Sequence, residues 1–125
     1  MKGFVDEMLR ALLRVPVSGS RAGTRLDIVV WIDTAFNGGL ALPRKQIAEL
    51  GLEKESSAEA IMADGQCVEL ETFACFVDWF GHCYETQIVA KDGEYPLLGT
   101  MLLDNHRLEI DYEAKKVDLT ARETP

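Results

Sequence analysis

The chain has 125 residues and 13.9 kDa, with 47% hydrophobic and 27% charged side chains, which excludes a disordered or fibrous protein. That length supports one domain with a real core and excludes two complete lobes in a single chain. A net charge of −8 and a pI near 4.7 argue against a nucleic-acid partner, because phosphate contacts need a basic face.

The acidity is uneven, since Lys2, Arg10, Arg14, Arg21 and Arg25 outnumber Asp6 and Glu7 before residue 27. No apolar run approaches the roughly 18 residues of a membrane span, so no membrane partner is expected. Asp6, Glu7, Arg10 and Arg14 interrupt any signal-peptide core, and a cytoplasmic location is the expectation. Cys67, Cys75 and Cys83 cannot all pair within one chain, which suits a reducing compartment. They lack the close Cys-x-x-Cys pairs of structural zinc sites, so no metal is expected, only buried or half-buried thiols in strands.

Residues 1–22 read as an N-terminal arm or strand ahead of a domain over 23–122. Met8, Leu9, Leu12 and Leu13 have the spacing of a short amphipathic helix, while Val15-Pro16-Val17 is extended and Ser18-Gly19-Ser20 a turn. Arg25–Asp33 is apolar at nearly every position, as in a strand covered on both faces. A dense turn cluster, Asp33 to Gly39, precedes a helix with Pro43 at its first position, Ile47 and Leu50 on one face and Gly51 at its end.

Beyond Ser57 the period becomes two. Residues 58–63 and 67–79 flank Asp64-Gly65, a hairpin signal. Phe80-Gly81-His82 turns into a strand near 83–90, and Lys91-Asp92-Gly93 turns again. Leu97-Leu98-Gly99 is a short buried run before a helical turn near Met101–Asp104. Arg107–Tyr112 and Lys116–Thr120 are closing strands. The fold class is mainly β, a small closed barrel or sandwich with one or two short helices.

The informative segment is Val29 to Phe36. A carboxylate at the end of an apolar strand is costly to desolvate unless it is hydrogen-bonded or needed. Asp33 is read either as a turn former bonding nearby backbone N–H groups or as a working group. Asp64 beside Gly65 is first of all hairpin chemistry. His82 and His106 lack a Ser or Cys partner in a nucleophile motif, which argues against a triad. Glu69, Glu71 and Asp78 are expected at the solvent or the rim.

Taken in order, these segments resemble the retropepsin-like aspartic proteases, in particular their small bacterial relatives, over roughly residues 22–120. An apolar strand runs into Asp33-Thr34-Ala35 where the family has Asp-Thr/Ser-Gly. The hairpin tip Ala63-Asp64-Gly65 stands at the place of the flap, and Leu97-Leu98-Gly99 at the apolar-apolar-Gly segment that threads past the catalytic loop. Phe36 to Pro43, leading into a helix, matches the bacterial branch.

The resemblance implies one lobe per chain and a homodimeric peptidase without a cofactor, in which Asp33 of each subunit shares a proton and holds one water. It implies that Thr34 bonds across the dimer and that Ala35 and Asn37 meet the substrate. Residues 62–66, with Ala63, Asp64 and Gly65 at the substrate, would close over the peptide, Leu97 and Leu98 would line or buttress the pockets, and Gly99 would permit close packing. Core filling is an equal reading of the two leucines. The sequence departs from the family at Ala35, whose methyl would crowd the partner loop or the substrate and whose backbone would be strained if φ were positive. Asn37 stands where viral relatives carry a carboxylate, a change expected to affect recognition of the substrate's end more than bond cleavage. The alternative functions are an inactive dimer of this fold that binds peptides or proteins, and a monomeric β-domain with a structural Asp33.

Overall fold

In a computed structural model of the chain, residues 1–61 and 64–121 are described. They form β1 (Lys2–Val5), β2 (Ala11–Ser18), β3 (Leu26–Ile32), β4 (Leu40–Pro43), α1 (Arg44–Leu50), β5 (Lys54–Ile61), β6 (Cys67–Trp79), β7 (His82–Lys91), β8 (Leu97–Leu98), α2 (Thr100–Leu103), β9 (His106–Asp111) and β10 (Lys116–Ala121).

Six strands close a barrel in the order β2-β3-β8-β4-β7-β6, with β6 returning to β2 through Val17↔Val77 and Ser18↔Phe76. Closure leaves these strands without open edges. Two appendages hang from the ring. β5 extends beyond β6 as a hairpin, and β1, β10 and β9 extend in that order from β2. Val15, Val17, Val30, Leu42, Ile88, Leu98 and Leu119 fill the interior and are all fully buried. No helix among the described residues is long and apolar enough to cross a membrane.

Local chemistry explains the turns. Gly51 takes the left-handed conformation that ends α1, and its N–H reaches the Ala48 and Ile47 carbonyls. Phe80 and Gly81 both have positive φ, as a two-residue hairpin turn between β6 and β7 requires. Asp111 Oδ1 accepts the N–H groups of Glu113 and Ala114 at 3.0 Å and shapes the β9–β10 turn.

Four expectations are corrected. Met8 and Leu9 lie in a turn rather than a helix, and both are exposed. Their helical spacing loses to Asp6, whose Oδ1 accepts the N–H groups of Met8 (3.0 Å) and Arg10 (2.9 Å) and bends the chain. β3 is not covered on both faces: Ile28, Val30 and Ile32 are buried, while Trp31 is 39% exposed. Pro43 caps α1 from outside instead of occupying its first position. Cys67 is exposed, unlike buried Cys75 and half-buried Cys83.

Candidate active site

The site grows out of one topological oddity. β3 and β4 are consecutive in the chain but do not pair, because β8 lies between them, parallel to β3 and antiparallel to β4. The loop 33–39 must therefore bridge over the end of β8. The chain leaving β8 passes beneath that loop and ties it down. The N–H groups of Gly99, Thr100 and Met101 donate to the carbonyls of Gly39 (2.8 Å), Phe36 (2.9 Å) and Gly38 (3.1 Å). The Thr100 hydroxyl adds a bond to the Phe36 carbonyl at 3.3 Å.

This crossing explains Gly99. It is buried, and a Cβ there would sit 2.5 Å from the Phe36 carbonyl oxygen and 2.6 Å from the Phe36 ring, with the Gly38 carbonyl nearer still. Its φ of −108° is open to any residue, so space alone demands the glycine.

Asp33 is held at the lip of this crossing. Its N–H donates to the Leu98 carbonyl at 2.9 Å, extending the β3–β8 ladder by one residue. Its own carbonyl accepts the Phe36 N–H at 3.1 Å, closing a turn. Oδ1 accepts the Ala35 N–H at 2.9 Å. The carboxylate is half-buried, with Oδ1 engaged by the loop's own backbone. Thr34, Ala35 and Asn37 are exposed. The φ of Ala35 is not positive, so the strain expected of a side chain at this position is absent. Thr34 opens onto a shallow cavity of about 590 Å³ shared with Thr100, Met101, Leu103, Asp104 and Leu108.

The other sequence-derived candidates divide. Leu97 is half-buried beside Trp31, its register partner on β3. Leu98 is fully buried, so its side chain belongs to the core and supports the loop from below instead of lining a groove. Asp64 and Gly65 are exposed at the tip of the β5–β6 hairpin. Asp64 Oδ1 accepts the Gln66 N–H at 2.9 Å, and Gly65 has φ of +84°. Among the described residues no hydrogen bond links this tip to the Asp33 loop. Ala63 lies outside the described residues. Glu71 sits at a rim and pairs with Arg44 and Lys54 at 3.1 and 3.5 Å, and Asp78 pairs with Arg25 at 3.0 Å.

One cluster escaped the sequence reading. Trp31 stands two residues before Asp33 and faces the same side of β3. Its ring meets Tyr95 edge-on, with centroids 6.1 Å apart. The Arg10 guanidinium lies 4.2 Å from the Tyr95 ring centroid and 5.7 Å from that of Trp31. Arg10 is in turn paired with Asp6 at 2.8 Å. Burial pushes the Asp6 carboxyl up, but the hydrogen bonds and charge of Arg10 outweigh it and hold the group below its ordinary value. The result is an aromatic wall with a neutralised charge beside Asp33. Alternation of Val29, Trp31 and Asp33 against Ile28, Val30 and Ile32 was the available signal.

The architecture matches solved structures. A retropepsin-like aspartic protease from Rickettsia conorii superposes with a TM-score of 0.68 at 16% identity, over 97% of this chain and 89% of that one. The EIAV protease in complex with an inhibitor superposes with a TM-score of 0.57 at 18% identity, over 75% of this chain and 85% of that one. The chain has the retropepsin-like fold. The sequence itself matches no family model, and no curated protein matches it significantly. The likeness is therefore carried by backbone path.

Proposed function

We propose that the chain is half of an aspartic endopeptidase, and that Asp33 from two copies meets across a two-fold axis to activate one water. The observation that carries this reading is the placement of Asp33 in a retropepsin-like fold, on a loop clamped by Gly99, Thr100 and Met101. A single carboxylate cannot do the chemistry, since the reaction needs a base and an acid at the same centre. Two carboxylates within hydrogen-bond reach cannot both ionise, so the pair holds one proton. The ionised member takes a proton from the water as its oxygen attacks the scissile carbonyl carbon. The protonated member donates to the carbonyl oxygen. The tetrahedral intermediate then collapses, the C–N bond breaks, and the leaving nitrogen receives a proton from the dyad. Water and two carboxyl groups suffice, so no cofactor is required.

The remaining geometry fits these roles. The Ala35 N–H occupies Asp33 Oδ1 and leaves Oδ2 for the water. Thr34 is exposed and would bond across the axis, holding the two loops level. Ala35 and Asn37 offer exposed main chain to an extended peptide. Trp31, Tyr95 and Leu97 supply apolar walls beside the carboxylate. In this reading the hairpin carrying Asp64 and Gly65 would fold over the peptide and exclude water, strengthening the electrostatics of the site. Three free cysteines support a cytoplasmic, reducing setting.

The test is cleavage of a mixed peptide library by the unmodified chain and by Asp33→Asn, with oligomeric state followed in parallel. Asn keeps an acceptor for the Ala35 N–H, so the dimer should persist while turnover falls to background. A statine-type transition-state mimic should block the unmodified chain. Turnover that survives the substitution sinks the proposal, and peptide binding without turnover by the unmodified chain makes it a binding module instead.

A further inference from the structure

The loop that carries Asp33 contains one peptide group that its clamp leaves alone. Gly99, Thr100 and Met101 bind the carbonyls of Gly39, Phe36 and Gly38, and Asp33 takes the N–H groups of Ala35 and Phe36. Between these points lies the peptide joining Asn37 to Gly38. Among the described residues neither the Asn37 carbonyl nor the Gly38 N–H makes a hydrogen bond. The side-chain bonds at this crossing are those of Asp33 and Thr100, and the exposed Asn37 amide has no partner among the described residues.

A backbone nitrogen can attack the side-chain amide carbon of an asparagine that precedes it, because the two close a five-membered ring. In most sequences two obstacles keep the attack slow. The Cβ of the following residue crowds the nitrogen, and a hydrogen-bonded backbone cannot turn toward the ring. Neither obstacle exists at Asn37. Gly38 has no Cβ, and the peptide before it is unbonded on both sides and lies outside every helix and strand. The glycine itself answers to packing, since a Cβ there would stand 2.5 Å from the tip of the Phe36 ring. The chain's other asparagine, Asn105, supplies a contrast: it precedes His106, which has a Cβ and opens β9.

We propose that Asn37-Gly38 is a self-modification site whose isoaspartyl product releases the clamp on the Asp33 loop. The Gly38 nitrogen bonds to Asn37 Cγ, the bond from Cγ to the side-chain nitrogen breaks, and ammonia leaves with the proton given up by the Gly38 N–H. Water then opens the cyclic imide. Attack at Cγ leaves an aspartate, and attack at the main-chain carbonyl carbon leaves an isoaspartate. Water enters and ammonia departs, so no oxidant, reductant or second protein takes part. Both products add a negative charge to the loop, but they differ in backbone. Aspartate keeps the original path, whereas isoaspartate routes the main chain through Cβ and Cγ and lengthens it by one bond, about 1.5 Å. The added length falls between the Phe36 and Gly38 carbonyls, whose spacing the consecutive residues Thr100 and Met101 hold. One of those two bonds must break, and the height of the loop is lost. The chemistry stands apart from the aspartic-peptidase reading, because it acts on the loop whatever Asp33 does.

The experiment holds the full chain and its Asn37→Gln variant at pH 8 and 37 °C and follows both by peptide mapping and thermal unfolding, with a urea-unfolded sample alongside. Glutamine keeps a neutral amide at an exposed position but would have to close a larger, slower ring, so the variant should fold and stay unchanged. In the folded chain the Asn37 peptide should gain the mass of an amide-to-acid change, in aspartyl and isoaspartyl forms, roughly tenfold or more faster than the Asn105 peptide. As isoaspartate accumulates, the unfolding midpoint of that fraction should fall by roughly 5 °C, the effect of one lost backbone hydrogen bond in a chain this size. The Asn37→Gln midpoint should hold. Conversion in urea but not in the folded chain, or at Asn37 no faster than at Asn105, overturns the site. Conversion to isoaspartate with an unmoved midpoint overturns the release of the clamp. Neither readout uses peptide cleavage, so failure here leaves the aspartic reading standing, and an inactive chain leaves this inference standing.

Discussion

Replacing Gly99 by Ala tests whether the crossing beneath the Asp33 loop is what holds the site. The added Cβ would stand 2.5 Å from the Phe36 carbonyl oxygen and 2.6 Å from its ring, where ordinary contacts begin at 3.4 Å. Backbone carbonyls cannot swing aside as a flexible side chain can, so the loop must rise by about 0.5–1 Å. Three N–H···O bonds of 2.8, 2.9 and 3.1 Å span that gap, and such a rise stretches them beyond useful length. At about 1 kcal/mol each they amount to roughly 3 kcal/mol. That is the upper part of the range of about 1–3 kcal/mol for overfilling a packed interior. The torsions contribute nothing, because φ is −108°. Urea denaturation should therefore show a loss of about 2–4 kcal/mol, and thermal unfolding a midpoint lower by roughly 10 °C. A loss below about 1 kcal/mol would refute the reasoning, since it would mean that the loop rises at no cost and is not clamped.

Ala35→Gly should lower stability by up to about 1 kcal/mol in chemical denaturation and bring no gain, because φ is already ordinary at Ala35 and glycine only adds unfolded-state freedom. Burial pushes the Cys75 thiol up to about 11, so at pH 8 an alkylating reagent should label exposed Cys67 first and spare Cys75 until the chain unfolds. Mass spectrometry that finds Cys75 labelled as fast as Cys67 would contradict its burial. Because Asp6 titrates below its ordinary value in the folded chain, its contribution is present above about pH 4 and fades as pH falls through the lowered value. The stability difference between the unmodified chain and Asp6→Asn should accordingly shrink between pH 6 and pH 2, and a difference that does not change with pH would reject the Asp6–Arg10 linkage.

How far the fold could be read from the sequence depended on how local its causes were. The β6–β7 hairpin announced itself through Phe80-Gly81, and the close of α1 through Gly51, because those residues answer to their own backbone torsions. The Asp33 loop stood out as a candidate site for the same reason: a carboxylate after an apolar strand and before two glycines is a local anomaly. Residues 8–13 were misread where one Asp6 side chain redirected the chain against a helical spacing, a contest that hydrophobic periodicity does not register, while Val15-Pro16-Val17 is extended within β2 as expected. The aromatic wall was hidden by a similar error. Apolar residues in succession suggested a strand covered on both sides, yet Trp31 is open and its company, Tyr95 and Arg10, arrives from segments 64 residues ahead and 21 behind in the chain.

What no pattern in the sequence could supply is the threading of β8. Two residues, Leu97 and Leu98, form too short a strand to have a period, and their partners Trp31-Ile32 and Leu40-Ala41 are found only by closing the barrel. Yet that pairing decides everything at the site. It forces the loop 33–39 to cross over a strand end, the crossing forces glycine at position 99, and the three N–H groups that follow fix the height of the loop. In the proposed two-fold dimer, a carboxylate that must meet its twin within hydrogen-bond distance needs its height fixed more than it needs any one neighbour, because an error in one loop would be repeated by symmetry in the other. The residues that position Asp33 are therefore the ones that hold backbone to backbone, and these are poor in the side-chain signals that a sequence displays.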